Sequence, residues 1–198
     1  MKKSLMLPAT LLLLGAPVFG GSATAQPRKQ SDAKLIASAM AAGPKSIAQG
    51  AAIVAMEANG DMRTLRQGKN GFTCIPEDPA SPGADPMCLD ANGMEWLHAW
   101  MNKTAPPDKV GIVFMLVTGS DASNTDPFAT EPAAGEEWVN SGPHLMLLLP
   151  GDLDQSVFST DHASGEPFIM WAGTPYEHVM MPVADGEMGE IAQATPSP

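Results

Sequence analysis

Val110-Gly111-Ile112-Val113-Phe114-Met115-Leu116-Val117 is the longest apolar run after residue 25. A membrane-spanning helix takes ~20 apolar residues, so this run is too short to be one. It shows no polar alternation and therefore reads as a strand covered on both faces, near the middle of a sheet. A second continuous run, His144-Leu145-Met146-Leu147-Leu148-Leu149, reads the same way.

Working outward, Asp90-Ala91-Asn92-Gly93 is a turn leading into a helix over 94–103. Met94, Leu97 and Met101 share a face of it, with Trp96 and Trp100 one turn apart beside them. Pro106-Pro107 closes that segment. Upstream, Ser31 is positioned to cap a helix over 32–42, whose apolar stripe is Leu35, Ile36, Ala39 and Met40. Gly43-Pro44 stops it, and a helical turn is expected over 45–49. Strands follow over 51–57 and 62–67, joined at Asn59-Gly60, a hairpin signal. Asn70-Gly71 repeats the signal before a strand over 72–75, which predicts a β-meander from 51 to 75. Downstream of the central run come a polar loop over 118–132, a strand start at Trp138-Val139 and one or two helical turns over 152–158. A last strand pair covers 168–172 and 176–183, joined through Gly173-Thr174-Pro175. The predicted fold is α+β: an antiparallel or mixed sheet of about six or seven strands, with two main helices packed on it.

The ends of the chain read differently. Met1-Lys2-Lys3-Ser4 is a basic head, 5–19 is apolar, and Ala23-Thr24-Ala25 is an A-x-A exit. These are the three parts of a cleavable secretory signal, so 1–25 is expected to be removed before Gln26. The expected domain is 26–183, with a disordered, small-residue and acidic tail over 184–198. The predicted location is periplasmic or secreted. Cys74 and Cys88 are the two cysteines, and an even count in an exported chain points to a disulfide. A two-cysteine metal site or a redox pair is the rival reading, although the spacing is not C-x-x-C.

The charge is unevenly divided. The whole chain carries −11. Residues 26–109 hold nine basic and nine acidic side chains, whereas 110–198 hold thirteen acidic residues and no Lys or Arg. Such a surface repels nucleic acid and anionic lipid and attracts cations or a basic protein partner. Neither the phosphate-loop, the dinucleotide nor the nucleophile-elbow signature is present.

The histidines and methionines carry the sharpest candidate. His144-Leu145-Met146 and His178-Val179-Met180 are H-x-Met strings on predicted strands. Residues i and i+2 of a strand share a face, so each strand offers an imidazole and a thioether together. That donor pair suits Cu(I), and copper is the candidate cofactor with His144, Met146, His178 and Met180 as ligands. His98 and Met101 also share a helix side. The alternative is that methionine simply fills an irregular core. Asp121-Ala122-Ser123-Asn124-Thr125-Asp126 offers oxygen ligands for calcium, or a turn network built on its own backbone. Trp171, Tyr176 and His178 are expected near one another, as a pocket wall or as core.

Several strings resemble a family of uncharacterised secreted bacterial proteins. They are Asn70-Gly71-Phe72-Thr73-Cys74, Asp85-Pro86-Met87-Cys88-Leu89-Asp90, Ser123-Asn124-Thr125-Asp126-Pro127-Phe128, Gly142-Pro143-His144 and Gly173-Thr174-Pro175-Tyr176. The resemblance spans about 35–183. It implies a secreted single domain and transfers no catalytic residue, cofactor or activity.

Three function classes follow. The first is an exported binding module for a small molecule, a cation or an envelope partner. The second is a periplasmic hydrolase using His144 or His178 with a carboxylate such as Asp126 or Asp161. The third is an envelope structural protein with no ligand. Two histidines meeting a carboxylate in one cleft would favour the enzyme, and imidazole with sulfur and no carboxylate would favour metal binding.

Overall fold

The computed structural model describes residues 30–57, 60–78 and 83–183. The expected signal segment, 1–25, and the expected tail, 184–198, lie outside the described residues.

Two helices come first, α1 (Asp32–Ala41) and α2 (Lys45–Ala48), followed by β1 (Ala52–Met56), β2 (Met62–Arg66), β3 (Thr73–Ile75) and β4 (Met87–Leu89). Helix α3 (Ala91–Met101) leads to β5 (Gly111–Met115), β6 (Ser120–Asp121), β7 (Val139–Asn140), β8 (His144–Leu148), β9 (Phe168–Met170) and β10 (His178–Pro182). Eight strands form one sheet in the order β2-β1-β3-β4-β5-β8-β10-β9, and β6 pairs with β7 in a separate ribbon. The fold is thus α+β with a mixed sheet, one main strand more than the upper expectation.

One local expectation is corrected and one is narrowed. Residues 51–75 are not a meander: β1 and β2 form the expected hairpin, but β3 lies on the other side of β1 and runs parallel to it. The chain leaves β2, is held by the Lys69 N–H on the Gly50 carbonyl, and re-enters beside the start of β1. Residues 152–158 hold one turn and no second: the N–H groups of Val157 and Phe158 donate to the Asp154 carbonyl, and the Asp154 carboxylate caps the turn by accepting from the Ser156 N–H and hydroxyl.

The two larger helices cover opposite faces. α1 packs Ile36, Ala39 and Met40 over Ile53, Cys74, Cys88 and Phe114. α3 packs Trp96 and Leu97 over Leu89, Val113, Leu148 and Met180. It begins three residues earlier than expected because Asp90 acts as N-cap, its carboxylate accepting from the Gly93 N–H at 2.7 Å. Arg66 closes the other end of the α2 region by donating to the carbonyls of Ala48 and Ala51. The Cys74–Cys88 disulfide joins residues directly opposite each other on β3 and β4, with both sulfurs under α1.

β5 is interior to the sheet, between β4 and β8, but its two faces differ. Val113 and Met115 are buried under the α3 side, whereas Ile112 and Phe114 are half-buried. The α1 layer reaches the β1–β3–β4 half and stops short of covering β5 fully. Among the described residues, no helix is long and apolar enough to cross a membrane.

Candidate metal centre

His144 opens β8 and His178 opens β10, and these strands are antiparallel neighbours. The register sets Met146 opposite Met180 and His144 opposite Pro182. Strand alternation then puts His144, Met146, His178 and Met180 on one face of the sheet. Met115 on β5 lies opposite His144, and Met170 on β9 lies opposite His178, so they extend the same face. All six side chains sit on the side covered by α3.

The two histidines are staggered. His178 is four residues from Pro182, the partner of His144, which is ~13 Å of strand at ~3.3 Å per residue. The Met146–Met180 pair occupies the centre, with one imidazole toward each end. The rings nevertheless sense each other, because the charge of His144 is one of the causes that lower the pKa of His178.

Each ring is held by the same device. The carbonyl two residues upstream meets Nδ1, from Gly142 to His144 at 2.8 Å and from Tyr176 to His178 at 2.9 Å. A carbonyl can only accept, so Nδ1 carries the hydrogen in both. His178 has no exposed surface, and desolvation pushes its pKa down to about 4, with the Tyr176 carbonyl opposing the shift. Burial lowers His144 as well, against the Gly142 carbonyl. Both rings are neutral at pH 7, which leaves a bare lone pair on each Nε2. Neither Nε2 has a hydrogen-bond partner among the described residues. Leaving such a buried acceptor unmet costs ~1–3 kcal/mol. A neutral imidazole with Nδ1–H fixed on a carbonyl and Nε2 free is also how a protein prepares a metal ligand.

The surroundings are shaped to the rings. A Cβ on Gly119 would lie 2.6 Å from the His144 Cε1, so only glycine lets the ring rest on that backbone. His178 meets Trp96 and Trp171 edge to face, with ring centroids 5.4 and 5.1 Å away. Trp171 is itself stacked between Trp96 and Trp100, at 6.2 and 6.0 Å, with interplanar angles of 4° and 10°. Trp171 has a positive φ of 56°, rare for a bulky residue. Its N–H donates to Asn124 O and its indole N–H to Ser123 O, while Thr174 holds its carbonyl.

The loop over 121–126 is therefore a clamp on Trp171. Two of its side chains serve nearby backbone: the Ser123 hydroxyl accepts from the N–H groups of Thr125 and Asp126, and the Asp126 carboxylate from that of Phe128. Tyr176 joins the aromatic group, edge-on to Trp96 and Phe128. Trp171, Tyr176 and His178 do come together, as buried core residues.

The other candidates fall elsewhere. His98 and His162 are exposed, and Asp126 and Asp161 are exposed and bound to nearby backbone N–H groups. Neither buried histidine is hydrogen-bonded to a carboxylate. Among the described residues, no three His, Cys, Asp or Glu side chains gather as a metal-binding group. Half the donors of the β8–β10 face are thioethers, which lie outside that set.

Glu177 was missed by sequence reasoning. It is 8% exposed, and its two carboxylate oxygens accept from the N–H groups of Leu153 at 2.6 Å and Gly173 at 2.7 Å. The available signal was one acidic residue at the entry of an otherwise apolar strand. Compared with known proteins, the chain matches no family model, no curated protein and no solved structure.

Proposed function

We propose that this chain is an exported binding module that holds a soft monovalent cation, Cu(I), on the face formed by His144, Met146, His178 and Met180, at the Met146–Met180 pair with one of the two flanking imidazoles as the nitrogen donor. One observation carries the reading: two buried, neutral imidazoles have Nδ1 committed to a carbonyl and Nε2 unmatched, on the face that bears the Met146–Met180 pair. Thioether and imidazole together favour Cu(I) over hard cations. The acidic second half of the chain draws cations toward it. The Cys74–Cys88 bridge accords with an oxidising compartment outside the cytoplasm, as does the signal-like stretch over 1–25.

The test is an anaerobic Cu(I) competition titration against a chromophoric chelator, with ascorbate as reductant so that the disulfide stays closed. One equivalent is expected to bind. Of His144→Ala and His178→Ala, one is expected to weaken binding by at least about tenfold, and His162→Ala to leave it unchanged. A wild-type protein that takes no Cu(I) from the chelator overturns the reading.

The burial of His144, His178 and Met180 favours a second reading, an envelope structural domain with no ligand. Absence of Cu(I) uptake, with loss of stability alone in His144→Ala, selects it.

A further inference from the structure

We infer that the α3 face of the sheet holds a second Cu(I), so that each buried imidazole has an ion of its own, with Met115 or Met170 as the sulfur donor. This rests on the Cu(I) reading. One ion at the Met146–Met180 pair takes one flanking imidazole and leaves the other as it was, buried and with Nε2 unmet. His144 is 1% exposed and His178 has no exposed surface. In a one-ion site the second lone pair has no role.

The sheet supplies a sulfur beside each ring. His144 on β8 is directly opposite Met115 on β5, and His178 on β10 is directly opposite Met170 on β9. Residues paired in this way point to one face with Cβ atoms ~5 Å apart. An imidazole and a thioether at that spacing can reach a common ion with bonds of the order seen for zinc, ~2.0 Å to nitrogen and ~2.3 Å to sulfur. Across β5, β8, β10 and β9 the face therefore carries three cross-strand pairs in a row: Met115–His144, Met146–Met180 and His178–Met170.

The two outer pairs are built alike. Each joins one thioether to one imidazole whose Nδ1 is committed to the carbonyl two residues upstream. Met115 and Met170 are both buried. Nitrogen and sulfur without a carboxylate make a soft donor set, which suits Cu(I) and not a hard cation. Whichever imidazole the first ion takes, the outer pair at the other end stays whole. Two positive charges on one water-poor face repel, so the second ion binds more weakly than the first.

The experiment is native mass spectrometry of the intact protein, titrated anaerobically with excess Cu(I) and ascorbate. The competing chelator is left out, because it holds free Cu(I) too low for the second ion. Two ions per chain are expected, the second with an affinity at least about tenfold lower. Of Met115→Leu and Met170→Leu, one is expected to cut the capacity to a single ion with the first affinity unchanged, and the other to leave both ions in place. Leucine nearly conserves the volume of methionine, so both variants keep the fold. A wild-type capacity of one ion overturns the inference and leaves the Cu(I) reading standing, whereas uptake of none overturns both. A second ion that persists in both methionine variants also overturns it. So does a second ion that vanishes in the His98→Ala, His162→Ala double variant, since those two histidines are exposed and that ion is bound at the surface.

Discussion

Met146 faces Met180 directly across the β8–β10 ladder, and on each strand a histidine stands two residues before the methionine. Antiparallel pairing therefore sends the two histidines to opposite ends of the thioether pair. Leucine has nearly the volume of methionine, so Met146→Leu and Met180→Leu should each cost less than ~1.5 kcal/mol of stability. If the sulfurs are ligands, the same changes should weaken Cu(I) binding by at least about tenfold. Chemical denaturation and chelator competition on the same samples separate the two effects. Unchanged Cu(I) affinity in both variants would remove the sulfurs from the site.

Acid should destabilise the fold through its histidines. The folded pKa of His178 is about 4 against an ordinary 6.5. Between those values the unfolded chain binds a proton that the folded chain refuses, so stability falls as pH drops from about 6.5 toward 4. His144 shifts in the same direction. Calorimetric melting across pH 4–7 should show the decline, and His178→Asn should flatten its slope even if it lowers every Tm.

Asp121 works against that trend. Burial, with Asp85 nearby, raises its pKa from 3.8 to about 6. The folded state keeps a proton there that the unfolded state has lost, so this group's contribution weakens as pH rises through 3.8 to 6. Asp121→Asn should therefore raise Tm at pH 7 relative to its effect at pH 4. A constant difference across that range would contradict the shift.

The Cys74–Cys88 bridge closes a loop of sequence separation 14, worth ~3 kcal/mol on the chain-entropy model. Both sulfurs are fully buried, so reductant should act slowly without denaturant. Native protein should show no free thiol to maleimide, and the Cys74→Ala, Cys88→Ala double variant should melt several degrees lower. A reactive thiol in the native chain would refute the bridge.

Gly119→Ala should cost ~1–3 kcal/mol, since the added methyl collides with the His144 ring. Gly135→Ala meets no atom within 4 Å but sits at φ 91°; it is a control for backbone strain alone. If Gly119→Ala loses no stability, contact with His144 is not the reason for Gly119.

The apolar runs that became β5 and β8 were legible because burial needs no partner to be named. Pairing was less so. β3 beside β1 in parallel follows from where the Gly50–Lys69 bond returns the chain, and a local turn signal at Asn70-Gly71 carries no information about that. The H-x-Met strings announced which residues share a face within a strand, while the β8–β10 register that stages them comes from packing. Gly119 and Glu177 were silent for a related reason: one acts by lacking a side chain, the other through two N–H groups distant in sequence. The ion pairs of the described residues join Arg63 to Asp32 and Glu57, and Lys109 to Glu95. None reaches past residue 109.

The Trp96–Trp171–Trp100 stack gives the protein a built-in optical gauge. Three nearly parallel indoles with ring centroids 6.2 and 6.0 Å apart couple their electronic transitions, and the coupled set absorbs left and right circularly polarised light differently, as one chromophore. Two of the rings ride on α3 and the third on the turn after β9. The resulting exciton couplet exists only while that helix is seated on the sheet, so its amplitude follows docking of α3 apart from the helix's own backbone signal.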